Sequence, residues 1–165
     1  MWLLKDVKGK IKYLKPGEIL QFGRKQSDIV LANDTSISRI HATISVELNL
    51  ELKSSEMLST CIVKDAGSKY GTFVIRDEIL LKASKEGVKL KPSDKIKFGL
   101  QQHIFTVEYV HLVTGTSRMI SSEKSKLKEI MNCIGGLVTD CHDDSCTYLT
   151  MSSATSTNKV SFKEI

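Results

Sequence analysis

The feature that most constrains this fold is the rhythm of its first 110 residues, where one short apolar run after another is closed by turn chemistry before a helix could form. Trp2 to Val7, Ile11 to Leu14, Ile19 to Gly23, Ile29 to Leu31, Ala42 to Val46 and Cys61 to Lys64 come first. Thr72 to Ile75, Ile79 to Leu81, Val88 to Leu90, Lys95 to Phe98 and Ile104 to Val110 follow. Lys15-Pro16-Gly17, Ala32-Asn33-Asp34, Asp65-Ala66-Gly67-Ser68 and Lys91-Pro92-Ser93-Asp94 separate them. These segments supply the fixed φ of Pro, the left-handed tolerance of Gly and Asn, and the side-chain to backbone bonds that turns use. Alternation in Lys95-Ile96-Lys97-Phe98 and Ile104-Phe105-Thr106-Val107 predicts strands with one buried face. With no amphipathic helix to cover that face, a second sheet must, so residues 1–110 are expected to form an antiparallel β-sandwich. Glu47 to Thr60 is more polar and reads as a long hairpin or a mobile excursion.

Past residue 110 the pattern changes. Leu112-Val113 reads as a strand, Ser121-Ser122-Glu123 as a helix start with an acidic first turn, and Leu127, Ile130, Met131 and Ile134 as a core-facing stripe. Gly135-Gly136 stops that helix, and Leu137 to Thr139 and Tyr148 to Met151 read as two further strands. The chain is therefore expected to be mostly β: a sandwich over 1–110, then a partial α/β segment over 111–165. That segment offers too little apolar surface for a core of its own and reads as truncated or dependent on its neighbour.

Composition narrows the function classes. No apolar stretch approaches the roughly 20 residues a membrane-spanning helix needs, and the opening Met1 to Asp6 is too short for a secretory signal, so no membrane partner is expected. The net charge of +5 belongs to the first part, which holds 18 Lys and Arg against 13 Asp and Glu, whereas residues 111–165 hold 6 of each. Such a field steers nucleic acid and acidic phosphopeptides alike. Cys61, Cys133, Cys141 and Cys146 are too sparse for a disulfide scaffold. Cys141 to Cys146 resembles half a zinc site that Cys133 or His111 could complete, but no second paired cluster exists, so neither a metal nor a cofactor is expected.

Three loops share one chemistry. Gly23-Arg24-Lys25, Ser36-Ile37-Ser38-Arg39-Ile40-His41 and Ser68-Lys69-Tyr70-Gly71-Thr72 each border an apolar run and offer hydroxyls, glycine backbone or cations. Converging N–H, O–H and Arg or Lys donors are what hold a phosphate. Ser38 and His41 could instead be a nucleophile and base. No third orienting carboxylate or oxyanion hole accompanies them in recognisable form, so binding is preferred to catalysis.

In order and spacing, Gly23-Arg24, Ser38-x-x-His41 and Ser68-x-x-Gly71-Thr72-x-Val74 resemble the forkhead-associated (FHA) domain, a β-sandwich whose apical loops bind phosphothreonine peptides. The resemblance implies that Arg24 and Ser38 hold the phosphate and nearby peptide backbone, that Arg39 contacts the peptide, and that Lys69 is a second cation. It extends the peptide surface to Tyr70 and Thr72, and makes Gly23, His41 and Gly71 the residues that shape the loops. Tyr70 and Ile75 stand where many FHA domains carry Asn, which affects the peptide register. The second part resembles the start of a BRCT domain, whose phosphate-binding members would point to Thr116, Ser117 and Lys159. An FHA domain fused almost without a linker to a BRCT domain resembles the adaptor subunits of double-strand-break repair complexes. That resemblance implies a nuclear, non-catalytic protein, with acidic phosphothreonine peptides of DNA-damage-response proteins as partners. Nuclease and ATPase subunits would be further partners, through a C-terminal region missing here. An FHA module of another nuclear signalling pathway, or direct DNA binding through the basic surface, are the alternatives; the latter lacks any recognisable DNA-binding motif.

Overall fold

A computed structural model describes residues 1–47, 58–101, 103–140 and 146–153. The described residues divide into two compact units, the first over 1–47 and 59–110 and the second over 111–153 together with Leu58. In the first, the strands are β1 (Trp2–Asp6), β2 (Ile11–Leu14), β3 (Ile19–Gly23), β4 (Ile29–Val30), β5 (Ala42–Val46), β6 (Cys61–Asp65), β7 (Thr72–Arg76), β8 (Ile79–Lys82), β9 (Val88–Lys89), β10 (Lys95–Phe98) and β11 (His103–Tyr109). They form a six-stranded sheet in the order β2-β1-β11-β10-β7-β8 and a five-stranded sheet in the order β4-β3-β5-β6-β9. The alternation expected from sequence is realised: in β5, Ala42, Ile44 and Val46 are buried, and in β10, Ile96 and Phe98 are.

All strand pairs of the sandwich are antiparallel except β3 with β4, which run parallel with Phe22 opposite Ile29 and Gly23 opposite Val30. Asp28 makes this tight return possible, because its carboxylate accepts the Gln21 N–H at 2.8 Å where a strand carbonyl would otherwise be needed. The loop between the two strands carries Arg24.

The core joins both sheets through aromatic rings. Phe22 of one sheet stacks on Phe98 of the other at 4.6 Å between centroids, and Phe105 meets both edge-on at 5.6 and 5.8 Å. Trp2 is buried at the end where β1 and β11 pair, its Nε1 donating to the Ser59 carbonyl at 2.8 Å, so its polar atom is satisfied. At the same end of the six-stranded sheet, Arg76 forks onto the buried carboxylate of Asp94 at 2.8 and 2.7 Å.

The second unit contains β12 (Val113–Ser117), α1 (Ser121–Cys133), β13 (Leu137–Thr139) and β14 (Tyr148–Met151). Its sheet is parallel, in the order β13-β12-β14, with α1 as the crossover from β12 to β13. The expected glycine stop is present: Gly135 adopts φ 73°, its N–H bonds the Asn132 carbonyl and the Gly136 N–H bonds that of Met131. The helix starts at Ser121 with Glu123 in its first turn, as expected, and Glu123 reaches back to the Ile120 N–H at 3.3 Å. One expectation needs correction: the apolar stripe is narrower, since Met131 is buried but Ile130 faces solvent. The proposed excursion over 47–60 falls largely outside the described residues, as does the half zinc site at 141–145; among described residues no cluster suited to a metal occurs.

Phe98→Ala should destabilise the sandwich by about 3–5 kcal/mol, because it removes both the inter-sheet stack and the volume that Phe22 and Phe105 close around. Urea denaturation followed by Trp2 fluorescence measures this; a loss under ~1 kcal/mol would mean the rings do not couple the sheets.

Candidate functional site

The three loops singled out in the sequence meet at one end of the sandwich, joined by a backbone bond between the first two and by the side chains of His41 and Ser38 between the second and third. The Arg24 N–H donates to the Ser38 carbonyl at 2.9 Å, which fastens the first loop to the second. Gly23 makes that approach possible. A Cβ built on it would lie 2.0 Å from the Arg39 carbonyl oxygen, so no other residue fits without moving the second loop.

The second loop is joined to the third through His41, which is completely buried. Its Nδ1 accepts the Ser38 N–H at 3.1 Å, so the ring proton sits on Nε2, which donates to the Gly71 carbonyl at 3.0 Å. The imidazole is thus a rigid bridge between loops. Because it bonds the Ser38 backbone and not the hydroxyl, Ser38 and His41 do not form a nucleophile–base pair.

Two carboxylates that the sequence presented only as turn formers organise the loops from beneath. Asp65 Oδ1 accepts the Ser68 and Thr72 hydroxyls at 2.7 and 2.8 Å, while Oδ2 accepts the Gly67 and Ser68 N–H groups at 2.9 and 2.8 Å. Burial alone would raise the Asp65 carboxyl; these bonds outweigh it and hold the group below its ordinary range. Asp34, buried under the second loop, accepts the Ser36 hydroxyl and N–H at 2.6 and 2.8 Å, and His103 Nε2 stands 3.1 Å from its other oxygen without hydrogen-bond alignment. Here too burial pushes upward, and the Ser36 bonds and the His103 contact prevail in the opposite direction. Ser36 Oγ also accepts the Leu100 N–H at 3.0 Å, pinning the second loop to the β10–β11 turn. The sequence signals were the spacings Asp34-x-Ser36 and Asp65-x-Gly67-Ser68, which place a carboxylate within reach of N–H groups two and three residues on.

What remains for a ligand is arranged around Ser38. Its Oγ accepts the Lys69 N–H at 3.2 Å, leaving the hydroxyl proton for another partner. Arg24 is half-buried beside a shallow recess lined by Lys25, Ala32, Asn33, Asp34 and Thr35, and its Nε is buried without a hydrogen-bond partner among the described residues. Arg39 and Lys69 are exposed, and the Lys69 ammonium lies 5.2 Å from the centre of the exposed Tyr70 ring. Thr72 departs from expectation: it is fully buried with its hydroxyl on Asp65, so it shapes the third loop and presents nothing to a peptide.

Thr116 and Ser117, the expected phosphate contacts of the second unit, are buried, and the Thr116 hydroxyl donates to Asp140 at 3.0 Å. Lys124 bonds the same Asp140 oxygen at 2.8 Å, so a phosphate there would face a carboxylate already paired with the local cation. Lys159 lies outside the described residues.

The model of the FHA domain family matches residues 20–99, which contain all three loops. Nibrin of Rattus norvegicus is 36% identical over 144 residues, covering 87% of this chain and 18% of the rat protein. The chain carries a nibrin-like FHA domain. Nibrin of Danio rerio is 33% identical over 168 residues, covering 100% of this chain and again 18% of its own length, so the chain spans under a fifth of these relatives. Among solved structures, the S. pombe Nbs1-Ctp1 complex has a TM-score of 0.74 at 21% identity over 95% of this chain and 51% of that one. The S. pombe Nbs1 FHA-BRCT1-BRCT2 domains give 0.69 over 94% of this chain and 52% of that one. At 21% identity these two likenesses are of fold.

His41→Ala should lower stability by about 2–4 kcal/mol, since it leaves the Ser38 N–H and Gly71 carbonyl unbonded around a cavity; an unchanged melting temperature would remove its bridging role. The depressed Asp34 and Asp65 carboxyls make a second expectation. A group held below its unfolded value stabilises the fold above that value, ~3.9 for Asp, and the contribution is lost as pH falls through the folded value. Urea midpoints should therefore decline below about pH 4, and Asp65→Asn should flatten that decline while lowering stability at pH 7. A decline equally steep in Asp65→Asn would place the linkage elsewhere.

Proposed function

We propose that this chain is a non-catalytic phosphothreonine-peptide adaptor of the nibrin type, acting in the nucleus to bring repair and checkpoint factors to phosphorylated proteins. The observation that carries the reading is the convergence on Ser38: a hydroxyl whose proton is left for a ligand, held by the Lys69 N–H, beside Arg24 and exposed Arg39 and Lys69. A phosphate brings nearly two negative charges and three acceptor oxygens, which suits a fork of guanidinium donors plus one hydroxyl. Each charge-assisted bond is worth roughly 1.5–3 kcal/mol, so Arg24, able to donate more than once, should matter more than Ser38.

The assigned roles are Arg24, Ser38 and Lys69 on the phosphate, Arg39 and Tyr70 on the flanking peptide, and Gly23, His41, Gly71 and Thr72 as the frame that holds them. The basic surplus of residues 1–110 favours acidic residues around the phosphothreonine. We assign residues 1–110 to the FHA domain and 111–165 to part of a BRCT domain, in keeping with the fold likeness to Nbs1. The Nbs1 structure that holds Ctp1 supports protein partners for this chain as well, and the nibrin likeness supports a place in a double-strand-break repair complex beside nuclease and ATPase subunits.

Calorimetric titration of matched peptides tests this. A phosphothreonine peptide with Asp or Glu neighbours should bind, its phosphoserine and bare versions should bind at least ~10-fold more weakly, and Arg24→Ala should abolish binding with the melting temperature kept. Equal affinity for the phosphorylated and bare peptides would sink the adaptor reading. Salt-steep binding to duplex DNA that survives Arg24→Ala would replace it with the nucleic-acid alternative.

A further inference from the structure

One hairpin beyond the third loop, β8 is left with an open edge. The sandwich ends on four edge strands, β2 and β8 in one sheet and β4 and β9 in the other. The last two are only two residues long, and Tyr13 of β2 already has a partner. In β8 the register to β7, with the Ala83 N–H bonded to the Thr72 carbonyl at 2.8 Å, directs the backbone groups of Ile79, Leu81 and Ala83 inward. Leu80 and Lys82 therefore point their N–H and C=O groups away from the sheet, where they have no partner among the described residues.

The side chains beside this edge form a pattern. On the outward face of the sheet Leu80 lies next to Ile75 and then Lys95, and Lys82 next to Phe73, Lys97 and Ile104. Leu80 is 57% exposed, while Phe73, Ile75 and Ile104 are each partly open to solvent. Lys82, Lys95 and Lys97 stand among them, and the acidic Asp77 and Glu78 are confined to the β7–β8 turn. Unsatisfied edge groups, an apolar strip and cations of one sign specify what can lie there.

We infer that β8 is a docking edge for an extended, unphosphorylated segment of another protein that adds as a seventh strand. That segment carries an apolar side chain beside Leu80 and an acidic one, two residues away, beside Lys82. The added strand exchanges N–H and C=O bonds with Leu80 and Lys82, its apolar residue covers Leu80, and its acid meets Lys82, with Ile75 and Lys97 further in on the same face. The turn carboxylates of Asp77 and Glu78 repel an acid at the opposite end and so fix which end is which. A second copy of this chain is a poor occupant, because pairing two β8 strands sets both groups of lysines against each other.

The probe is a capped Thr-Val-Thr-Glu-Thr-Glu peptide added to the full chain, followed by amide shifts and hydrogen exchange. The expected result is slowed exchange at Leu80 and Lys82, with binding ~10-fold weaker when Lys replaces both Glu. N-methylation of the peptide's edge-facing amides should abolish it. Leu80→Pro removes an outward N–H without touching a bond to β7 and should abolish docking while phosphopeptide binding persists. Should Leu80→Pro fail to fold, Lys82→Glu serves, by reversing the charge preference of the peptide. Arg24→Ala should leave docking unchanged, which separates this edge from the phosphate site. The inference is overturned if the peptide fails to bind, if its shifts map away from β8, if the N-methylated peptide binds equally, or if Leu80→Pro abolishes a self-association of the free chain.

Discussion

One buried imidazole decides the shape of the end where the three loops meet. His41 is the last residue of the second loop, immediately before β5, and the two bonds of its ring have opposite sense: one nitrogen accepts from Ser38 and the other donates to Gly71. Of the neutral tautomers only the Nε2–H form satisfies both, so the ring is fixed chemically as well as sterically. Its edge meets Phe98 at 6.0 Å between centroids, within the stacked aromatic core. Loop geometry is thereby referred to the most rigid part of the sandwich.

The same logic extends through Asp34 and Asp65. Loops lack the repeating partners of a sheet, so their N–H groups must be satisfied by something else. Here two carboxylates take that role, each gathering hydroxyl and amide donors from residues just downstream. The charge is placed under the loops, and the cations Arg24, Arg39 and Lys69 are left above. Positive side chains on top and negative ones beneath give the site a polarity that net charge alone does not reveal.

Much of this was legible in the sequence. Strand positions in the first unit followed from turn residues and period-two runs, because each run is too short for a helix and each break has a chemical cause. Gly23, Ser38, His41 and Gly71 were recognisable from their spacing, and their placement at one end needed only the sandwich. Less could be read where a residue's role depends on direction. Thr72 lies in the right loop, but strand alternation turns it inward, next to buried Val74 on the same face. Thr116 likewise is the right residue type for a phosphate ligand, yet it is buried within β12 and its hydroxyl donates to Asp140, distant in sequence. Asp65 was visible as a turn residue, but its fourfold role requires Ser68 and Thr72 to fold over it.

The Lys69 N–H on Ser38 Oγ has a consequence for time rather than for strength. A serine hydroxyl normally rotates freely, and a ligand that needs it in one orientation must first halt it. Here the hydroxyl oxygen already accepts the Lys69 N–H and the Ser38 N–H is held by His41, so under the proposed function this group needs little further ordering. A site of this kind captures its ligand at a rate set by diffusion and charge, and releases it at a rate set by the cations around the phosphate. Ionic strength then acts as the dial on residence time.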